Sequence, residues 1–113
     1  MKSDAIFLRH VLENIGKIEL SMAGVSMENF ESDVDLVDAT LRRLEVIGEA
    51  VKNVSEKTKK MAPEIEWKKI AATRDKLIHF YFGVDTELVY NIVSKDLPAL
   101  KSQINGILAK LPK

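Results

Sequence analysis

The stretch that decides the fold is VDLVDATLRRLEVIGEAV, residues 34–51. Its Val34, Val37, Leu41, Leu44, Gly48 and Val51 recur at alternating steps of three and four residues, which lays them along one side of a helix of 3.6 residues per turn. Just upstream, Ser32 with Asp35 three residues on has the form of a capping box, so a long helix is expected to start there.

Working toward the N-terminus, Ile6 or Phe7, Val11, Ile15, Ile18 and Met22 form a second stripe of the same period. Asp4 stands near its start and Gly24 just past its end, where a left-handed residue can stop a helix. Between the two helices Ser26 to Phe30 reads as a connector whose phenylalanine reaches back to the core. Toward the C-terminus, Ser55 can cap a short helical piece over Glu56 to Met61, and Pro63 ends it by disfavouring helix at Ala62. A further helix is expected from near Glu64, with Ile65, Trp67, Ile70, Ala71, Leu77 and Ile78 broadly inward and Gly83 closing it. Asp85 can cap a last segment carrying Leu88, Ile92, Leu97, Leu100, Ile104, Ile107 and Leu111, which Pro98 either kinks or restarts.

Four main helices joined by short connections predict an all-α, up-and-down bundle of four to five helices, formed by one domain over residues 1–113. Alternating strand patterns are absent. The chain has no cysteine, which removes disulfides, thiolate metal sites and a cysteine nucleophile, and fits a reducing compartment such as the cytoplasm. Nowhere do eighteen uncharged apolar residues run together, so neither a membrane span nor a secretion signal is expected.

Seventeen Lys and Arg balance seventeen Asp and Glu, which argues against a protein that holds nucleic acid through bulk positive charge. The balance is local rather than uniform. Residues 1–51 carry five basic and ten acidic side chains, residues 52–79 eight and four, and residues 80–113 four and three. The basic middle segment is either a solvated helical face or a phosphate-facing patch, with Lys68, Lys69 and Lys76 as its candidate phosphate contacts.

Across the end of that segment runs Ala72-Thr73-Arg74-Asp75-Lys76-Leu77-Ile78-His79-Phe80-Tyr81-Phe82-Gly83-Val84-Asp85. On a helix Asp75 and His79 are one turn apart, so the carboxylate can orient the imidazole and favour its protonated form. Arg74 and His79 are about 140° apart around an ideal helix. They meet only if the arginine wraps round or a second copy of the chain supplies one of them across a two-fold axis. An imidazole able to exchange protons near neutral pH beside a permanently charged guanidinium suits transesterification at an RNA phosphate. The plain alternative is that Arg74 and Asp75 form surface pairs, His79 caps the helix end and Tyr81 fills an apolar gap. His10, with no second imidazole close in sequence, reads as a packed or surface residue, and Trp67 as core. No glycine-rich phosphate loop, metal-spaced histidine pair or Gly-x-Ser-x-Gly elbow is present.

Arg74, four residues, His79, one residue and Tyr81 resemble the RxxxxHxY motif of HEPN domains in the HepT-like ribonuclease toxins. The polar residue after the arginine is Asp75, where asparagine is frequent in that family. Phe30 with the acidic run Glu31 to Asp38, Ile47-Gly48-Glu49-Ala50, Pro63 through Trp67, Val84-Asp85 and Leu97-Pro98 follow the family's pattern in its order.

The resemblance implies a homodimer whose two motifs line a shared cleft, acting on RNA as a metal-independent endoribonuclease without a cofactor. Arg74 and His79 would be catalytic, with Asp75 and Glu49 in support. It further implies a minimal nucleotidyltransferase antitoxin as partner, which would neutralise the toxin by transferring AMP onto Tyr81. DNA is not an expected ligand. The competing reading is a non-catalytic subunit that binds a nucleotide or helps a nucleotidyltransferase recognise its substrate; a purely structural helical dimer is a third.

Overall fold

A computed structural model describes residues 3–79 and 85–111, and of Arg74, Asp75, Leu77, Ile78 and His79 it describes the backbone alone. Helices α1 (Asp4–Met22), α2 (Met27–Ser32), α3 (Val34–Lys52), α4 (Glu56–Met61), α5 (Trp67–His79), α6 (Thr86–Asn91) and α7 (Leu97–Lys110) follow one another, with a π-helical segment, Ile92–Asp96, joining the last two. No strand occurs among the described residues. The expected all-α bundle is what forms.

Helix α3 is the central element, packing against α1 on one side and α5 on another. Its inward face carries Val37, Leu44, Ile47, Gly48, Ala50 and Val51, much of the stripe legible in the sequence. Val34 departs from that stripe: it is 68% exposed. It sits on the first helical residue, directly after the Asp33 cap, before the helix has come under α1 and α5. The cap is Asp33 rather than Ser32, its carboxylate accepting from the Leu36 N–H at 3.1 Å.

The connector between α1 and α3 folds as a helix of its own. Ser26 caps α2 by accepting from the Asn29 N–H, and Phe30 is driven wholly into the core. There its ring lies 5.9 Å from that of Tyr90, whose hydroxyl donates to the Val25 carbonyl at 2.7 Å and so ties α6 to the end of α1. Gly24 adopts φ 73°, the left-handed turn that stops α1.

Helix α4 has the expected limits, with Ser55 as its cap. Helix α5 starts at Trp67 and not near Glu64. Residues 62–66 instead make tight turns, in which Ile65 N–H donates to the Ala62 carbonyl and the Trp67 indole donates to that same carbonyl at 3.1 Å. With its one polar atom satisfied, Trp67 is a core residue, 8% exposed. Gly83 lies outside the described residues, as do the inward placements expected for the Leu77 and Ile78 side chains. Asp85 caps α6, accepting from the Leu88 N–H at 3.0 Å, but Leu88 itself, in the first turn of this six-residue helix, is 44% exposed.

Pro98 both widens and restarts the last segment. A proline inside an α-helix lacks the N–H for its bond four residues back and crowds that carbonyl. The chain responds with wider i→i+5 turns over Ile92–Asp96, the Leu97 N–H reaching the Ile92 carbonyl, before α7 begins with Pro98 in its first turn.

One clasp joins segments far apart in sequence. Asp4, at the start of α1, accepts from the Ser55 N–H at 3.0 Å, from the Ser55 hydroxyl at 2.5 Å and from the hydroxyl of buried Thr58. Burial raises the Asp4 pKa, but the hydrogen bonds from Ser55 and Thr58 and the nearby Lys59 outweigh it and hold the carboxyl below its usual value of 3.8. A carboxyl so depressed stabilises the fold fully above its ordinary pKa and loses that contribution as pH falls through the lower folded value. Asp4→Ala is therefore expected to lower unfolding stability by about 1–2 kcal/mol at neutral pH. The gap from wild type should close in denaturant titrations run below the carboxylate range; a gap that persists there would mean that the lost charge is not the cause.

Candidate active site

Helix α5 gathers most of the residues singled out in the sequence. Its backbone holds Arg74, Asp75, Lys76 and His79 in one continuous helix, and Lys68 and Lys69 occupy its first turn. The backbone position of Arg74 is seven residues from Trp67, four from Ile70 and three from Ala71, so helical register puts it on the stripe of the helix's apolar residues. The position of His79 is about 140° away, and Lys68, eleven residues earlier, is nearly in line with it. One helix therefore does not bring the Arg74 and His79 positions onto a common narrow strip. Tyr81 lies outside the described residues, as do the side chains of Arg74, Asp75 and His79.

The three lysines are solvent-facing. Lys69 pairs with Glu66 at 3.3 Å, both largely exposed, a contact worth about 0–1 kcal/mol. Helix N-terminal placement of Lys68 and Lys69 and the later Lys76 spreads positive charge along α5 rather than concentrating it.

Glu49 lies on α3 and is exposed at its side chain, while its carbonyl accepts from the Asn53 side-chain amide at 2.8 Å. It lines a pocket of about 250 Å³ between α1 and α3, together with Phe7, His10, Arg42 and Glu45. His10 is thus a surface residue, as expected, yet it shares a pocket with Glu49. Nothing in the sequence pairs the two, since they are on different helices.

A second cavity, of about 290 Å³, separates the α3–α5 pair from the π segment and α7. Ile70 and Thr73 of α5 form part of its wall, so it adjoins the Arg74 position along the helix. Sequence reading missed it because its walls come from four separate segments. Among the described residues no three His, Asp or Glu side chains converge as a metal site requires, and no helix is long and apolar enough to cross a membrane.

Comparison with known proteins adds the following. The family described as "Ribonuclease HepT-like" matches residues 11–107. A protein of Caldanaerobacter subterraneus subsp. tengcongensis named "Putative RNase" is 39% identical over 97% of this chain and 98% of its own length. A "Probable ribonuclease HepT" of Thermococcus cleftensis is 40% identical over 94% of this chain and 96% of its own. A Methanocaldococcus jannaschii protein named "Gamma-glutamylcyclotransferase and putative RNase" is 41% identical over all of this chain, which spans 51% of that longer protein. No solved structure matches.

Proposed function

The chain belongs to the HepT-like ribonuclease family, and on that premise we propose that it is a metal-independent endoribonuclease acting in the cytoplasm as the toxin of a toxin–antitoxin pair. The observation that carries this reading is the sequence Arg74-x4-His79-x-Tyr81 inside the span the family covers, with the backbone of Arg74 and His79 on the last turns of α5, a helix packed on the central α3.

In this mechanism the RNA 2′-hydroxyl attacks the adjacent phosphorus and the 5′-oxygen departs, leaving a 2′,3′-cyclic phosphate. His79 takes the proton from the nucleophile or hands one to the leaving oxygen. Arg74 stabilises the charge that grows on the non-bridging oxygens, where a planar bidentate donor suits phosphate geometry. Asp75, one turn before His79, orients the imidazole. Lys68, Lys69 and Lys76 carry flanking phosphates, and Glu49 helps position the motif from α3. Because one helix sets Arg74 and His79 about 140° apart, two copies of the chain complete the cleft, each giving one of the pair. AMP transferred by a nucleotidyltransferase antitoxin to Tyr81 would place a bulky phosphate-bearing group where the RNA phosphate binds.

The two-copy cleft has a quantitative test. Arg74→Ala and His79→Ala proteins, each inactive alone, should regain about one quarter of wild-type cleavage when unfolded and refolded together in equal amounts, since half the dimers are mixed and each mixed dimer holds one intact site of two. No recovery, with mixed dimers demonstrated by mass, would place both residues in one chain's site. For the control step, incubation with the partner nucleotidyltransferase and ATP should add AMP mass to wild type and none to Tyr81→Phe. An adduct surviving that change would move the modification elsewhere.

A further inference from the structure

Apart from Lys69 on its rim, the cavity between α3–α5 and α7 takes no part in the motif chemistry, and its lining is particular. Its floor is apolar: Leu44 and Ile47 from α3, Ile70 from α5, Leu97 and Leu100 from α7. Its rim is polar, with Glu64, Asp96 and Gln103 offering acceptor oxygens and Lys95 a donor. The remaining rim pair, Glu66 and Lys69, is engaged with itself. That leaves two carboxylates against one ammonium, an edge better suited to hydrogen bonds from a neutral amine than to a phosphate of its own. The wide π turns bring Ile92, Lys95 and Asp96 to this cavity, and such turns recur at functional sites.

A nucleobase matches both halves of that description. Its faces are flat and apolar, suited to a floor of leucine and isoleucine, and the exocyclic amine of adenine, cytosine or guanine donates to carboxylate or amide oxygens. Uracil has no such amine. A volume of about 290 Å³ is at the small end for ligand sites and suits one nucleoside rather than a longer strand. Ile70 and Thr73 line the cavity, and about 6 Å of helix axis separates Ile70 from Arg74, on the order of one backbone step of an extended strand.

We propose that this cavity is a base-selecting subsite, which takes one unpaired amino-bearing base of the RNA next to the phosphate cut at the motif. The proposal rests on the ribonuclease reading above and adds to it a determinant of sequence preference. Uncharged nucleosides test it without the phosphate contacts. In methyl-labelled protein, adenosine and cytidine should shift the Ile70, Leu97 and Leu100 methyl resonances, with uridine binding about tenfold more weakly, the equivalent of one lost hydrogen bond. Ala99→Trp, at an exposed position on the cavity wall, should abolish those shifts while the protein stays folded. Mapped cleavage sites in cellular RNA should be enriched for an amino-bearing base within a nucleotide or two of the cut, an enrichment that Ala99→Trp removes while cutting continues.

The two readings fail separately. Cleavage with no nucleoside-induced shifts, or with site preference unchanged in Ala99→Trp, overturns the subsite and leaves the ribonuclease. Nucleoside shifts at the cavity in a protein that cuts no RNA leave a nucleoside pocket and remove the ribonuclease.

Discussion

His79→Ala is expected to lower RNA cleavage by about 10²–10⁴-fold, the usual contribution of a positioned general acid or base. That range corresponds to roughly 3–6 kcal/mol of transition-state stabilisation. If the imidazole acts on a proton in flight while the lysines of α5 hold the strand, as proposed, the loss should fall on turnover more than on RNA binding. Arg74→Ala should cost about 10²–10³-fold, and Arg74→Lys should recover little of it, since an ammonium cannot reproduce the guanidinium fork on phosphate. Helical content and melting must be checked beside activity. If cleavage survives in a folded His79→Ala protein, His79 is not the proton-transfer residue.

Phe30→Ala is the substitution expected to do most damage to the fold. Phe30 is wholly buried, sits on the short α2, and packs on Tyr90, through which α6 is fastened to the α1–α2 turn. Removing the ring leaves a cavity where α2 packs on α6 and α3, at a cost of about 3–5 kcal/mol. In a chain of this size that lowers the melting temperature by roughly 10–20 °C. Leu20→Ala is the comparison: Leu20 is 84% exposed, and its loss should change stability by less than about 0.5 kcal/mol. A Phe30→Ala protein melting with wild type would show that α2 contributes little to the core.

Phe30 also shows what the sequence makes legible. Phe30 could be read as core because a lone phenylalanine in a polar connector has few other uses, yet the helix it rides on is too short to announce itself by period. Strong local rules were readable: the stripe of α3, Ser55 as the cap of α4, Asp85 as the cap of α6, Gly24 as the stop of α1. Each depends on residues a few positions apart. Where tertiary surroundings decide, the reading stopped. Val34 and Leu88 have the right type and spacing for burial but sit in first turns that nothing covers. Asp4 and Ser55 are 51 residues apart, and no periodicity joins them.

The site divides the same way. Arg74, His79 and Tyr81 could be singled out because they stand within eight residues of one another in the sequence, and the backbone of the first two lies on α5. The cavity beside it was not, since Leu44, Ile70, Asp96 and Leu100 come together only in the folded chain. Pro98 was the one local sign of it, being the residue that forces the π turns that bring Asp96 to the cavity wall.

The most direct measurement of the central claim is the chemistry of the cut ends. Purified wild-type protein, unmodified on Tyr81, should cleave a mixed RNA pool in the presence of chelator and leave 2′,3′-cyclic phosphates with 5′-hydroxyl partners. Ends of any other kind, or no cleavage by protein shown to be folded and free of AMP, would contradict a ribonuclease built on Arg74 and His79.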